Sequence, residues 1–314
     1  MDILMLSEEE VQRLLDPEPL LDALAEGFSS LSDGRVVAPM RQGVVAQNGS
    51  FLIMPAWQPQ THAAVKMVSL FHGNHQLGLP AHQTLVCLFD AQTGTPVAVI
   101  NGDPVTALRT AGATALSVRL LARQEAHILT IIGTGVQGKA HAQMLPHVRD
   151  FREIRIASRH FAHAQQLAAT IPQAHPVESF AEAVRGADIV CLCSSSGTPI
   201  ISADWLSPGT HVTSVGFMPP GGELGRDVIS QGRLFVETRL ACEPAPVGCS
   251  ELAGIDPDLV TELGEVLLGS RPGRQSEEEI TVYKAMGHAV EDLVAANLIY
   301  QQARQRDIGQ IVKM

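Results

Sequence analysis

Three glycines near the middle of the chain have a spacing that suits phosphate binding. The segment GTGVQG (residues 133–138) matches the pattern G-x-G-x-x-G. In dinucleotide-binding folds the first glycine permits a tight turn, the second lets the backbone approach a pyrophosphate, and the third allows close helix–strand packing. The motif follows the apolar run HILTII and opens a helical pattern, which favours a cofactor loop over a plain turn. The candidate cofactor-binding residues here are Gly133, Thr134, Gly135, Val136, Gln137 and Gly138.

A hydroxyl, a guanidinium and an imidazole follow the next predicted strand, EIRIA. They belong to Ser158, Arg159 and His160, at a position where an acidic residue often binds the adenosine ribose. An arginine there accommodates a 2′-phosphate, which an acid would repel. These residues therefore predict NADP(H) as the preferred cofactor, with NAD(H) possible. Ser194 and Ser195, in the segment SSSGTP after the following long strand, are predicted to line the cofactor's other side.

Alternating strand and helix patterns place these residues from residue 127 onward. The runs HILTII, EIRIA, DIVCLCS and HVTSVG alternate with helical segments, and this order builds a parallel sheet. We predict a strand at EITVYK rather than a helix capped at SEEE, because Ile280, Thr281 and Val282 are β-branched. A last long helix is predicted over AMGHAVEDLVAANLIYQQARQ. The predicted fold class is α/β with a Rossmann-type parallel sheet.

A different pattern occupies the first third of the chain. Two short helices are predicted, separated at Pro17 and closed by Asp33 and Gly34. A meander should follow, with strands at GVVAQ, SFLIMPAW, AAVKMVSLF, HQTLVCLFD and TPVAVIN and a hairpin turn at DAQTGTP. The segment TALRTAGATALSVRLLAR is predicted to be a helix.

Composition argues against several classes of function. The 314 residues are 45% hydrophobic and 18% charged, which is typical of a globular protein, and the formal net charge of −11 disfavours nucleic-acid and membrane partners. The N-terminal segment lacks the basic and apolar regions of a signal peptide. Five cysteines indicate no disulfide framework, which favours the cytoplasm. His72, His75 and His82 have no second ligand pair, so no metal site is predicted.

Several segments together resemble the ornithine cyclodeaminase/mu-crystallin family. They include FLIMPAW, AAVKMVS, FDAQTGTPVAVINGDPVTALRTAGATALS, IIGTGVQG, VTSVGFMPPGGELGRDVI and EITVYKAMGHAVEDLVAANLIY, in the family's order and over nearly the whole chain. The resemblance implies a Rossmann domain inserted into a second α/β domain, which binds substrate and forms a homodimer. The expected boundaries are residues 119–289 for the NADP-binding domain and residues 1–118, with about 290–314, for the other.

The resemblance also implies how a substrate carboxylate is held. Arg41, Lys66 and Arg109 match the three cations that bind it in the family. Arginine binds a carboxylate through a bidentate fork, and lysine adds a point charge that burial can tune for proton transfer. Gln83 and Thr84 match positions lining the nicotinamide side, and Thr110 is a further cofactor-binding candidate. Asp292 matches an acidic position near the cofactor side.

One departure from the family pattern concerns the reaction. Ornithine cyclodeaminases carry the proposed base, an aspartate, in the loop after the strand VTSVG. This chain has Phe217 and Met218 there, and an apolar pair cannot accept a proton. The resemblance therefore favours the reductase branch: an NADPH-dependent reductase of small α-imino acids, of the ketimine, Δ1-pyrroline- or piperideine-2-carboxylate type. Phe217 and Met218 are expected to line the substrate pocket.

Three alternatives stay open at this point. The first is an ornithine cyclodeaminase, an NAD-dependent lyase, if Asp103 or Glu223 supplies the base from another segment. The second is reductive amination of the alanine-dehydrogenase type. The third is a non-catalytic dinucleotide- or hormone-binding protein like some mu-crystallins. A cluster of three cations for a small acid argues against the third.

Overall fold

The structure is a computed structural model that describes residues 1–245 and 247–314, without the side chains of His72 and His75. The chain divides into two compact units. The discontinuous unit comprises residues 1–109 and 288–314, and the central unit comprises residues 110–287. The division falls within one helix, and the boundary expected at residues 118 and 119 falls later in that helix.

A seven-stranded mixed sheet forms the discontinuous unit. Its strands are β1 (Asp2–Leu6), β2 (Gln42–Ala46), β3 (Gly49–Trp57), β4 (His62–Leu70), β5 (His82–Asp90), β6 (Pro96–Asn101) and β15 (Gln310–Lys313), in the spatial order β15-β1-β6-β5-β4-β3-β2. Strands β2 to β6 form the predicted antiparallel meander. Strand β1 pairs in parallel with β6 and antiparallel with β15, so the two ends of the chain lie side by side.

Helices cover one face of this sheet. They are α1 (Glu8–Leu14), α2 (Pro17–Ser32) and α9 (Ala289–Arg306), and α3 (Gly102–Leu121) begins directly after β6. Alternate side chains of β3 to β6 point into this core, among them Met54, Val86 and Ile100. The long helix α9 packs on β3, β4 and β5. Its first turn therefore meets the inward-facing side chains of β4.

An eight-stranded sheet forms the central unit. Its strands are β7 (Ile128–Ile132), β8 (Glu153–Ala157), β9 (Ala174–Val177), β10 (Ile189–Leu192), β11 (His211–Ser214), β12 (Arg233–Val236), β13 (Thr261–Glu262) and β14 (Thr281–Lys284), in the order β13-β12-β14-β11-β10-β7-β8-β9. Every neighbouring pair is parallel. The Rossmann-type α/β fold class expected from the sequence is confirmed.

Helices connect the strands of the central unit. They are α4 (Val136–Met144), α5 (Phe161–Ala168), α6 (Phe180–Val184), α7 (Arg226–Gln231) and α8 (Leu263–Leu267). In parallel sheets, ligands bind outside the carboxyl ends of the strands. The loops after β7, β8, β9, β10 and β11 leave the sheet at that edge, and they contain the glycine motif, Arg159, Glu178, Ser194 and Phe217.

Most local expectations agree with the structure, and the differences have local causes. Helix α3 begins at Gly102, four residues before the predicted segment, because the Asn101 Oδ1 atom accepts a hydrogen bond from the Asp103 N–H. The last helix begins at Ala289 rather than near residue 285, because the N–H groups of Met286 and Gly287 bind the Glu237 carboxylate. No sequence prediction covered the short strands β1, β9, β13 and β15.

The described helices include none with the length and apolar character that crossing a membrane requires.

Candidate active site

The glycine loop of the central unit has the shape of a phosphate-binding turn. Gly133 has a φ of +122°, and a Cβ atom there would collide with the Cys193 carbonyl oxygen. A Cβ atom on Gly138 would collide with the Gly133 carbonyl oxygen, so this glycine lets α4 approach the loop. Gly135 faces open space, and as the N-cap of α4 it offers no side-chain cap to the helix N–H groups. These groups are available to an anion such as a pyrophosphate.

Two alanine substitutions should separate cofactor binding from folding. Gly135 has φ −74° and ψ −163°, which alanine adopts without strain, and no atom of the described residues lies within 4 Å of the position that a methyl group would take. Gly135→Ala is therefore expected to leave the melting temperature within about 2 °C of the native value and to weaken dinucleotide binding about tenfold or more, because the methyl group occupies the space for the pyrophosphate. Gly138→Ala should lower the melting temperature and also weaken dinucleotide binding. Thermal melting measures stability, and titration followed by NAD(P)H fluorescence measures dinucleotide binding. Equal losses of stability in the two variants would contradict the assignment of Gly135 to cofactor binding rather than folding.

The end of β8 places the predicted adenosine-binding residues beside the glycine loop. The Thr134 hydroxyl donates a hydrogen bond to Ser158 Oγ at 3.4 Å. Arg159 and His160 are exposed, and the His160 ring packs edge-on against His163 with 5.3 Å between centroids. A guanidinium in this position is open to an incoming phosphate. The residues present therefore fit a dinucleotide with its adenosine at β8.

Glu223 organises the loop that contains Ser194. One carboxylate oxygen accepts from the N–H and hydroxyl of Ser194, both at 2.7 Å. The other accepts from the Ser214 hydroxyl at 3.1 Å and the Gly216 N–H at 2.7 Å. Four donors thus bind this fully buried carboxylate. Glu223 is committed to holding the strand ends β10 and β11 together, and this geometry disfavours it as a catalytic base.

A second buried charge extends the same network. The Lys284 ammonium, at the end of β14, donates to Ser214 Oγ at 3.1 Å, to the Gly216 carbonyl at 2.6 Å and to Glu251 Oε1 at 3.1 Å. These bonds fix the backbone from which Phe217 and Met218 project. Both side chains are partly buried, and the Met218 side chain lies against Gly197 in the neighbouring loop. The structure thus brings Phe217, Met218 and Ser194 to one edge of the central sheet, while Ser195 is exposed there.

Two of the three predicted cations form a buried cluster in the discontinuous unit. Lys66, on β4, and Arg109, on α3, are only 2% and 4% exposed. The Lys66 ammonium donates to Asp292 Oδ1 at 3.0 Å. The Arg109 guanidinium contacts Glu291 Oε2 at 2.9 Å and Asp292 Oδ1 at 3.2 Å. Both carboxylates belong to the first turn of α9, where the helix dipole also favours negative charge.

Burial and charge have opposite effects on the Lys66 ammonium. Burial, and next the positive charge of Arg109, lower the pKa of Lys66 to about 8, although Asp292 and Glu291 act in the other direction. A lysine with this pKa can change protonation near neutral pH, unlike an exposed lysine. The cluster also holds one unused acceptor, since Asp292 Oδ2 is buried and has no hydrogen-bond partner among the described residues. The site can therefore bind an anion at its cations and a hydrogen-bond donor at Asp292 Oδ2.

The third predicted cation, Arg41, is partly exposed and lies near the same helix start. Its charge acts on His288, the N-cap of α9, whose Nδ1 accepts a hydrogen bond from the Val290 N–H at 3.2 Å. Burial of the ring, and then the charge of Arg41, lower the pKa of His288 to about 4, so the ring is neutral at pH 7. The charge of Asp292 raises this pKa, and the charge of Arg109 lowers it. Arg41 thus lies within electrostatic range of the helix start at which Lys66 and Arg109 form their ion pairs.

The remaining candidates have different surroundings. Thr84 is buried on β5, and its hydroxyl lies 3.2 Å from His82 Nδ1. His82 Nδ1 also lies 3.2 Å from Asp103 Oδ1, so this carboxylate already has a partner. Thr110 is buried in α3 at the start of the central unit. The side chains of His72 and His75, considered as metal ligands above, lie outside the described residues.

Sequence reasoning missed two residues of the cation cluster. Glu291 pairs with Arg109, and His288 caps the helix that carries both carboxylates. The segment HAVED contained the signal, because a capping residue followed three positions later by Glu is typical of a helix start. That pattern would have moved the predicted helix start to residue 289 and placed two acidic side chains on its first turn.

The chain is similar to proteins of one enzyme family over nearly its whole length. The model of the ornithine cyclodeaminase/mu-crystallin family matches residues 1–307. The ketimine reductase mu-crystallin of Mus musculus is 36% identical over 304 residues, covering 94% of this chain and 96% of the mouse protein. Thermococcus litoralis Δ1-pyrroline-2-carboxylate reductase, solved with NADH and L-proline, has a TM-score of 0.92 at 28% identity, covering 99% of this chain and 100% of the reductase. An archaeal alanine dehydrogenase dimer with bound NAD has a TM-score of 0.89 at 27% identity, with 100% of each chain covered.

Proposed function

We propose that this chain, which belongs to the ornithine cyclodeaminase/mu-crystallin family, is an NADPH-dependent reductase of small α-imino acids. The observation that carries the proposal is the buried cluster at the start of α9, which combines two cations with a carboxylate oxygen that has no hydrogen-bond partner among the described residues. Lys66 and Arg109 contact Glu291 and Asp292 there, and the charge of Arg41 acts on the same helix start. Arginine and lysine side chains placed in this way can bind the carboxylate of a small substrate.

The proposed roles of the residues follow from their positions. Arg41, Lys66 and Arg109 bind and orient the substrate carboxylate, and Asp292 holds Lys66 and Arg109 in place through its Oδ1 atom. The free Oδ2 atom of Asp292 is an acceptor for the N–H of an iminium substrate. A bound reduced nicotinamide supplies the hydride. Because a protonated imine is already electrophilic, alignment and charge suffice without a strong general acid.

We also propose that the two units have separate roles in binding the cofactor and the substrate. The central unit, with its glycine loop and Arg159, would hold NADPH in preference to NADH, and the discontinuous unit would bind substrate. The relatives support the reaction class: the mouse protein is a ketimine reductase, and the Thermococcus enzyme was solved with NADH and L-proline. We place the protein in the cytoplasm, since all five cysteines are free thiols.

The test is NADPH oxidation by the purified protein with Δ1-pyrroline-2-carboxylate, with NADH in parallel. Rapid turnover with NADPH and little with NADH supports the reductase and the cofactor preference together. Turnover only with pyruvate and ammonia would assign the alanine-dehydrogenase type of reaction instead. Proline formed from ornithine with catalytic NAD would identify a cyclodeaminase, and dinucleotide binding without any turnover would identify a binding protein. Each of these three results contradicts the proposal.

We also propose that the open face of the seven-stranded sheet forms a homodimer. Ile53, Met67 and Leu85 are cross-strand neighbours on β3, β4 and β5, and they are 44%, 40% and 47% exposed. Phe51 and Trp57, on β3, are exposed on the same face. A continuous apolar surface of this kind marks an interaction site. The related alanine dehydrogenase is a dimer, which makes a second copy of this chain the proposed partner.

Met67→Asp is expected to give a monomer at micromolar concentration. The substitution places a carboxylate in the middle of the apolar row, where pairing with a second copy would bury it without a partner. Light scattering coupled to size-exclusion chromatography measures the mass. Leu259→Asp is the matched control, since Leu259 is 74% exposed and belongs to the central unit rather than to this sheet. A native protein that is already monomeric would overturn the proposal.

A further inference from the structure

A cavity of the central unit brings one cation and one carboxylate together where the adenosine is expected. Ser158 and Arg159 line it from the end of β8, and Glu178 lines it from the end of β9. Phe180 and Trp205 supply apolar walls. A cavity with aromatic walls and polar groups on one side suits a purine nucleoside. Glu178 has no role in the mechanism described above.

The sheet register explains why the two charges are neighbours. Strands β8 and β9 are parallel, and Ala157 pairs with Val177 as the last residues of both strands. Arg159 follows Ala157 by two residues and Glu178 follows Val177 by one, so both leave the same edge of the sheet side by side. Neighbouring strands lie about 4.8 Å apart. Arg159 and Glu178 are both exposed side chains, and a phosphate bound to Arg159 would lie close to Glu178.

These two charges favour different cofactors. A 2′-phosphate carries about −1.5 to −2 charges at pH 7, so Arg159 attracts it and Glu178 repels it. A free ribose has hydroxyl groups instead, and a carboxylate is the acceptor that dinucleotide-binding folds use for the 2′-hydroxyl. The usual acidic residue at the end of the second strand is absent here, and the carboxylate comes from the next strand of the sheet.

We infer that Glu178 determines cofactor selectivity by opposing Arg159, which restrains the preference for NADP(H) and keeps the site open to NAD(H). The inference rests on the proposed function only in requiring a pyridine dinucleotide in the central unit. It assigns the balance between the two cofactors to one pair of side chains on neighbouring strand ends.

The test compares the dissociation constants of NADP+ and NAD+ for the native protein and two variants, by titration calorimetry at low salt. Glu178→Gln is expected to tighten NADP+ about three- to tenfold, the range for one charge acting across roughly 6–8 Å of solvent-exposed space. NAD+ should bind equally well or more weakly. Arg159→Leu should shift the ratio of the two constants in the opposite direction. The gain in Glu178→Gln should shrink at about 0.5 M salt, where screening is strong.

Glu125→Gln serves as the matched control, because it removes the same charge before β7, at the opposite edge of the sheet. Equal tightening of both dinucleotides by Glu178→Gln would overturn the inference, since the carboxylate would then act on the shared part of the adenosine. An unchanged ratio, or the same change in Glu125→Gln, would overturn it as well. These binding measurements need no substrate. Dinucleotide binding without imine reduction would therefore refute the proposed function and leave the selectivity result standing.

Discussion

Replacing Lys66 by Met is expected to lower kcat/KM for Δ1-pyrroline-2-carboxylate by about two to three orders of magnitude, since removing one partner of a buried charge pair costs roughly 2–5 kcal/mol. The Lys66 ammonium is 2% exposed and is held at 3.0 Å from Asp292. Without it the site loses one of the cations proposed to bind the substrate carboxylate, whose charge would then be buried with less compensation. Steady-state kinetics with NADPH measures the loss. Lys313→Met, on the exposed face of β15, is the control and should leave kcat/KM unchanged.

The pH dependence of kcat/KM gives a second test of the role of Lys66. Burial and Arg109 lower the pKa of Lys66 to about 8, so the ammonium loses its proton as the pH rises through 8. Because the protonated form is the one proposed to bind the substrate carboxylate, kcat/KM should fall above pH 8 in the native protein. Lys66→Arg keeps its charge, so its alkaline decline should move well above pH 8, from a lower plateau caused by the different shape of the group. An alkaline limb that stays at pH 8 in this variant would assign the ionisation to another group.

The lowered pKa of Lys66 also makes the stability of the protein depend on pH. The folded-state pKa of Lys66 lies below its ordinary value, so the unfolded chain binds more protons between about pH 8 and 10.5. The contribution of Lys66 to the free energy of unfolding therefore becomes more favourable as the pH rises through this window. This trend is opposite to the trend of activity. A decline of activity above pH 8 therefore does not arise from Lys66-linked unfolding.

Arg109→Met is expected to destabilise the protein by about 3–5 kcal/mol, the range for breaking a buried ion pair from one side. Glu291, 1% exposed, loses the guanidinium at 2.9 Å, and Asp292 loses its contact with the guanidinium at 3.2 Å. The melting temperature should fall by roughly 10 °C. Chemical denaturation and thermal melting measure both quantities, and enzyme activity should be lost as well if Arg109 binds the substrate carboxylate as proposed.

Arg306→Met provides the matched control for this stability effect. Arg306 contacts Asp16 at 3.1 Å, a distance similar to that of the buried pair, but the two side chains are 42% and 57% exposed. Exposed pairs contribute about 0–1 kcal/mol. If the two variants lose the same free energy of unfolding, the burial of Glu291 and Asp292 does not cause the large loss expected for Arg109→Met. A loss confined to Arg109→Met would support burial as the cause.

Local sequence patterns were sufficient to predict most of the helices and strands and the glycine loop. The strand and helix periods of 2.0 and 3.6 residues are local properties, and so is the glycine spacing at residues 133–138. The motif order was also sufficient for the family and the Rossmann-type sheet, both of which are confirmed. Charged residues inside apolar runs, such as Lys66 between Val65 and Met67, indicated burial with a partner.

The pairing of the charged side chains, in contrast, depends on how distant segments pack. Lys66 and Asp292 are 226 residues apart in the chain, and they meet because α9 returns to pack on β4. The structure also showed that Glu223 is bound by four donors rather than open as a base, and that Glu178 shares a cavity with Arg159. Local periodicity tells which side of a strand is buried, but strand order and helix packing determine which distant side chain lies opposite. The partners of the charged residues therefore depended on the packing of the whole chain.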